Sequence, residues 1–183
     1  MKTVMVPLAQ GCEELEAVTI TDLLVRAGVK VITAGLDDKP VIASRGMTLI
    51  PDVQLEQIRN DEFDMIVLPG GLPGADHLRD SAILQAMLKK HASADKYVAA
   101  ICAAPKVLAQ AGILENKIAT SFPGALDALD LKNTEIKNTA LEVDGKIVTS
   151  RGPGTAMDFT LKLIELLLGV DKKQEVEKGL VRS

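Results

Sequence analysis

TVMVPLAQGCEELEAVTITDLLVRAGVKVITAG, residues 3 to 35, sets two apolar runs on either side of a segment with helical periodicity. Residues 3 to 8 (TVMVPL) are continuously apolar with a β-branched bias, the pattern of a strand buried on both faces. The loop AQGCEE follows. In LEAVTITDLLVRAG, residues Leu15, Val18, Thr19, Asp22, Leu23 and Arg26 fall at helical spacing, and Gly28 supplies a C-terminal stop. VKVITAG, residues 29 to 35, is a second strand. Strand, helix and strand in this order predict two parallel strands joined by a right-handed crossover.

The alternation continues along the chain. PVIASRGMTLIPD carries two short strand-like pieces around Ser44-Arg45-Gly46, a hairpin signal, and DMIVLPGG (64 to 71) is a buried strand ending in a glycine pair. LPGADHLRDSAILQAMLKKH reads as helix, KYVAAIC as strand and AAPKVLAQAG as helix, with Pro105 tolerated in a first turn. TEIKN and ALEVDGKIVTS read as strands, the latter folded at Asp144-Gly145, and TAMDFTLKLIELLLG as a long amphipathic helix. Strands alternating with helices predict an α/β layered sandwich with a mostly parallel central sheet. No repeat, low-complexity segment or linker interrupts residues 1 to 183, so one domain is expected.

Composition narrows the function classes. Hydrophobic residues make up 47% of the chain and charged residues 25%, as in an ordinary globular protein, while aromatics are only 2%. The core must therefore be built from Val, Ile, Leu, Ala and Met. The net charge is −4 and no Lys/Arg cluster interleaves with aromatics, which argues against direct binding of nucleic acid. The opening MKTVMVPLAQ has an apolar run too short for a signal-peptide core, and polar residues interrupt every later apolar stretch before it reaches membrane-spanning length. A cytoplasmic location and no membrane association are expected. The two cysteines, Cys12 and Cys102, and the two histidines, His77 and His91, have neither zinc-ligand nor disulfide-framework spacing, so no metal site is expected.

In an open parallel sheet, ligands bind beyond the carboxyl ends of the strands, where GCEELE, LPGGLPGA and AAICAAP all fall. Cys102 sits at the third of these corners, between strand and helix. Two readings fit its spacing equally: a nucleophile on a tight turn whose pKa the helix N-terminus lowers, or a small hydrophobe packed in a core strand. In the first reading the helix amides beginning at Ala103, and the amides of Gly70 and Gly71, are free to stabilise an oxyanion. In the second, the glycine pair is an ordinary turn. Glu13, Glu14 and Glu16 open the first helix, where most of their charge reads as a solvated first turn. A glutamate of this corner that reached Cys102 would have its pKa raised by burial and by the thiolate, and would act as acid and base.

Taken in order, GCEELEAV, SRG, VLPGG, AAICAAP and TSRGPGTAMDF resemble the ThiJ/PfpI superfamily, in the branch that holds the Parkinson-disease-associated deglycase. The resemblance spans nearly the whole chain. It implies a flavodoxin-like domain, a homodimer and a reactive cysteine at a nucleophile elbow. By motif position Cys102 is that cysteine and Glu16 its protonated partner. Gly71 and Ala103 present amides to sulfur or oxyanion, and Arg26 and Arg45 lie near the dimer interface or the rim of the site. Some relatives carry histidine before the proline of TSFPGAL, where this chain has Phe122, and the protease-like branch carries histidine where this chain has Ala103. Peptidase or amidotransferase chemistry, which needs such a base, is therefore disfavoured.

Two functions follow as expectations. One is a glyoxalase or deglycase acting through Cys102 and Glu16 on methylglyoxal, glyoxal or early glycation adducts of protein or nucleotide. The other is an oxidative-stress sensor or chaperone whose Cys102 becomes a sulfinate. Cys12 reads as a small loop residue or a resolving thiol, and His77 as a surface histidine. AQGCEE lacks the G-x-G-x-x-G loop and SRGPGT lacks a phosphate-loop lysine, so no cofactor is expected and SRGPGT reads as a turn in the site wall.

Overall fold

The computed structural model describes residues 1–182. The chain begins with β1 (Thr3–Leu8), α1 (Glu14–Arg26) and β2 (Lys30–Gly35), with β1 and β2 parallel as their patterning predicts. Gly28, at φ +80°, ends α1: its N–H donates to Val25 and that of Val29 to Leu24, which satisfies carbonyls the last turn leaves open. Next come a short antiparallel hairpin, β3 (Val41–Ile42) and β4 (Thr48–Leu49), then β5 (Val53–Gln54) and β6 (Met65–Leu68). Helices α2 (Gly74–Asp80) and α3 (Ala82–Ser93) precede β7 (Tyr97–Ile101) and α4 (Pro105–Gln110). The chain continues through β8 (Ile118–Ala119), β9 (Glu135–Ile136), β10 (Leu141–Asp144) and β11 (Ile147–Ser150) into α5 (Ala156–Leu168) and α6 (Val170–Gly179).

Seven strands form the central sheet in the order β10-β11-β7-β6-β1-β2-β5, parallel throughout except for the β10–β11 hairpin. Successive side chains of the inner strands enter opposite cores. Val4, Val6 and Leu8 face α1 and α5, while Met5 faces the side of α3 and α4; Val67 and Ile66 divide in the same way. Both faces are covered, so these strands are apolar at nearly every position. Among the described residues, no helix is long and apolar enough to cross a membrane.

Two sequence expectations differ from the structure, and one helix was not expected. The segment 72–91 is two helices, because Ser81 is extended and its hydroxyl accepts from Leu84 N–H as the N-cap of α3. Helix α6 has too few apolar residues to announce itself, and packs through Val176. In α1 the buried stripe is Glu16, Ala17, Ile20, Leu23 and Leu24, whereas Leu15 and Val18 of the predicted stripe lie on the outer face with Val25.

Candidate active site

Three strand-to-helix corners meet at the carboxyl edge of β1, β6 and β7. The first two touch backbone to backbone: Glu13 N–H donates to Gly70 C=O at 2.9 Å, and Gly74 N–H to Gly11 C=O at 3.3 Å. A Cβ at Gly71, itself at φ +87°, would run into the backbone of Cys12 and Glu13. At Gly70 a Cβ would lie 2.7 Å from Cys102 Cβ and 2.9 Å from both Ala103 N and Glu16 Oε2. The glycine pair is thus required by close approach, beyond its role as a turn.

Cys102 adopts φ +63°, a left-handed conformation unusual for a residue with a side chain. Its backbone is held on both sides. The N–H donates to Ser150 C=O at the end of β11 (3.0 Å), and the C=O accepts from Phe122 N–H (2.8 Å). This sharp strand-to-helix turn sends the thiol toward Glu16 and the amides of Gly71 and Ala103. The packed-strand reading of Cys102 therefore gives way to an elbow.

Glu16 is fully buried. Its Oε2 accepts from Gly70 N–H at 2.7 Å, while Oε1 has no hydrogen-bond partner. Burial raises its pKa to about 7; the Gly70 amide and the Cys102 thiol pull the other way, and Glu13 adds to the rise. The Cys102 thiol is pushed up to about 12, first by burial and then by the charge of Glu16, against the pull of the Gly71 and Ala103 amides. This corrects two expectations. The thiol pKa is not lowered overall, because desolvation of the sulfur and the charge of Glu16 outweigh the amides of Gly71 and Ala103. Gly70 offers no free oxyanion donor, because its N–H is taken by Glu16. Above pH 7 the pair retains one proton, held on sulfur, the more basic of the two groups.

Glu13 and Glu14 are not a solvated first turn. Glu14 accepts from the Arg45 N–H at 2.9 and 3.0 Å and from Met47 N–H at 3.4 Å. The Ser44 hydroxyl lies 2.9 Å from Glu13 Oε2 and 3.1 Å from Glu14 Oε2, and donates its single proton to one at a time. With Ser44 N–H donating to Cys12 C=O, the β3–β4 hairpin is bolted to the turn that carries Glu16. Burial opposes ionisation of Glu14, but these donors win and hold its carboxyl below the usual range. Nothing local in the sequence marks this link, because its partners are some thirty residues apart.

Arg45 reaches the edge of this cluster through its backbone. Arg26 does not reach the site: it lies ten residues along α1 from Glu16, roughly 15 Å, and pairs with Asp22. Cys12 is a free, buried thiol, its pKa raised to about 11 by burial and then by Glu14. His77 is exposed on α2. Gly152, in the SRGPGT turn, lies against the Phe122 ring. Among the described residues, no group of three or more His, Cys, Asp or Glu side chains is spaced to hold a metal ion.

A parallel α/β sheet with a left-handed cysteine at one strand end and a buried carboxyl from another defines an α/β protein of the cysteine-elbow type. The chain belongs to the DJ-1/PfpI family, whose model matches residues 2–166. It is 42% identical to protein dj-1beta of Drosophila melanogaster over 98% of this chain and 97% of that one. The crystal structure of DJ-1beta superposes with a TM-score of 0.95, covering 100% of this chain and 98% of that chain. The glutathione-independent glyoxalase DJR-1.2 of Caenorhabditis elegans is 33% identical over 93% of this chain and 91% of its own. Oxidized Toxoplasma gondii DJ-1 is similar at 40% identity, with a TM-score of 0.93 and full coverage of both chains.

Proposed function

We propose that the chain is a cysteine-dependent glyoxalase or deglycase that needs no cofactor and acts on methylglyoxal, glyoxal or early glycation adducts. The observation that carries this reading is the unpartnered Oε1 of buried Glu16 beside an elbow thiol. The glyoxalase relative supports it. Cys102 Sγ adds to the aldehyde carbon as its proton moves to Glu16, and the Gly71 and Ala103 amides stabilise the developing oxyanion. Glu16 returns the proton to that oxygen, giving a hemithioacetal. It then relays protons between C1, C2 and their oxygens until a thioester of the 2-hydroxy acid forms. Water hydrolyses the thioester and restores the thiol, so methylglyoxal and one water give lactate. The test is lactate production from methylglyoxal by purified wild-type, Cys102→Ser and Glu16→Ala proteins. Turnover requires both side chains, and variants that keep the wild-type rate would refute the mechanism.

A second reading uses the same sulfur, and the oxidized relative favours it. A Cys102 sulfinate would accept hydrogen bonds from protonated Glu16 and from the Gly71 and Ala103 amides, making the site an oxidative-stress sensor. Mass spectrometry after mild peroxide separates the two, since a sensor oxidises selectively at Cys102. The outer face of α1, with Leu15, Val18 and Val25 exposed beside Arg26, is the proposed homodimer surface. Two free cysteines suit a cytoplasmic, reducing location.

A further inference from the structure

The chain has three phenylalanines, and two of them, Phe63 and Phe159, are buried. Phe122 is 48% exposed, yet it is not a loose surface side chain. Its N–H donates to the carbonyl of Cys102 itself at 2.8 Å. Its own carbonyl accepts from Ala125 N–H at 3.0 Å and from the Ser121 hydroxyl at 3.1 Å. On its far side the ring rests on Gly152, where a Cβ would stand 3.4 Å from Cδ2. Gly152 in turn lies two residues beyond Ser150, whose carbonyl holds the Cys102 N–H. Phe122 therefore joins the two backbone segments that hold the elbow, adjacent to Cys102 through its own N–H, with about half of the residue open to solvent.

We infer that Phe122 is a specificity-determining residue, an apolar shelf that favours 2-oxoaldehydes bearing a hydrocarbon group on the ketone carbon. This deepens the aldehyde reading above and rests on it. The aldehyde carbon is the atom attacked in every such substrate, so the group on the neighbouring ketone is what a wall of the site can distinguish. Glu16 and the amides of Gly71 and Ala103 supply the polar contacts of the site. A phenyl ring has neither proton donor nor acceptor to offer, and contributes only by removing apolar surface from water. It follows that the order of preference is phenylglyoxal, then methylglyoxal, then glyoxal. A methyl group against the ring gains roughly fourfold over hydrogen.

The experiment compares kcat/KM for these three aldehydes in wild-type protein and in Phe122→Ala and Phe122→Leu. The readout is the phenylglyoxal to glyoxal ratio, which is independent of how much of a variant preparation is folded and active. The ratio is expected to fall roughly tenfold in Phe122→Ala, as for the loss of one apolar contact in a hydrophobic pocket, and to be intermediate in Phe122→Leu. Turnover with the ratio unchanged in Phe122→Ala overturns the specificity role and leaves the aldehyde reading standing. Failure of the wild-type protein to turn over any of the three overturns the aldehyde reading and the specificity role with it.

Discussion

Replacing Glu16 by Gln is expected to stabilise the protein at pH 8 while abolishing its proton transfer. Burial holds the folded-state pKa at about 7, against an ordinary value of 4.5. Between those values the unfolded chain has released the proton that the folded protein still holds, so stability falls as pH rises through this window. At ~1.4 kcal/mol per pH unit, the whole window costs the folded state about 3 kcal/mol. Glutamine never ionises and escapes that cost. Its carbonyl oxygen still accepts from Gly70 N–H, and its amide nitrogen falls where Oε1 has no partner. An unpaired donor there costs about 1 kcal/mol at every pH.

The variant is therefore about 1 kcal/mol less stable than wild type at pH 4.5 and about 2 kcal/mol more stable at pH 8. In the wild type the Cys102 thiol, pushed up to about 12, stays protonated at pH 8; in the variant the charge of Glu16 is gone, but burial, the largest cause of the rise, remains. Urea unfolding of both proteins by circular dichroism at several pH values measures the swing, which is independent of the constant offset. Parallel stability curves from pH 4.5 to 8 would refute the argument that burial raises this carboxyl. Activity on methylglyoxal should fall by about 10²- to 10⁴-fold in the same variant.

His91 acts in the opposite direction. Burial first, and then Lys96, lower its pKa from 6.5 to about 4, and its Nε2 lies 3.1 Å from Tyr97 C=O. The unfolded chain takes up a proton first as pH falls, so about 3 kcal/mol of stability present above pH 6.5 is lost toward pH 4. His91→Gln should lack this acid loss in urea titrations, and in wild type the slopes of His91 and Glu16 should nearly cancel. Gly70→Ala should lose about 1–3 kcal/mol of stability and slow iodoacetamide alkylation of Cys102, because its methyl group invades the elbow. Gly154→Ala, with open space at its Cβ, should unfold within about 0.5 kcal/mol of wild type. A charge on the outer face of α1, as in Val18→Glu, should shift sedimentation equilibrium toward monomer while leaving the circular dichroism spectrum unchanged.

The parallel sheet was readable from residues 3 to 35 because its two runs are mostly apolar and β-branched and Gly28 marks a true stop. The hairpins at Ser44–Gly46 and Asp144–Gly145 were readable from turn chemistry. The phase of α1 was not, because Leu15 and Val18 make as good a stripe as Ala17, Ile20 and Leu24. Two apolar faces on one helix defeat periodicity, and only the sheet decides which is covered. At the site, Cys102 was visible as a thiol at a corner. Which of Glu13, Glu14 and Glu16 turns inward depends on the Gly70 amide and the β3–β4 hairpin, which no local pattern records. The direction of the thiol pKa is not legible for the same reason, since desolvation belongs to the assembled corners and not to the helix alone.

A buried thiol with a raised pKa looks like a poor nucleophile, but the elbow changes that conclusion. A left-handed residue with a Cβ costs roughly 1–2 kcal/mol, a cost that glycine at position 102 would avoid. Two backbone hydrogen bonds and the absence of a Cβ at Gly70 hold the cysteine there nonetheless. In that conformation the sulfur faces Glu16, the one carboxylate with no exposed surface among the described residues, and the same burial raises both pKa values. Neither group readily loses the last proton of the pair to water. In the proposed mechanism the proton passes from sulfur to Glu16 as the carbonyl is attacked, so no separate thiolate is maintained. That mechanism asks for no histidine, consistent with Ala103 after the cysteine and Phe122 at the far side of the elbow.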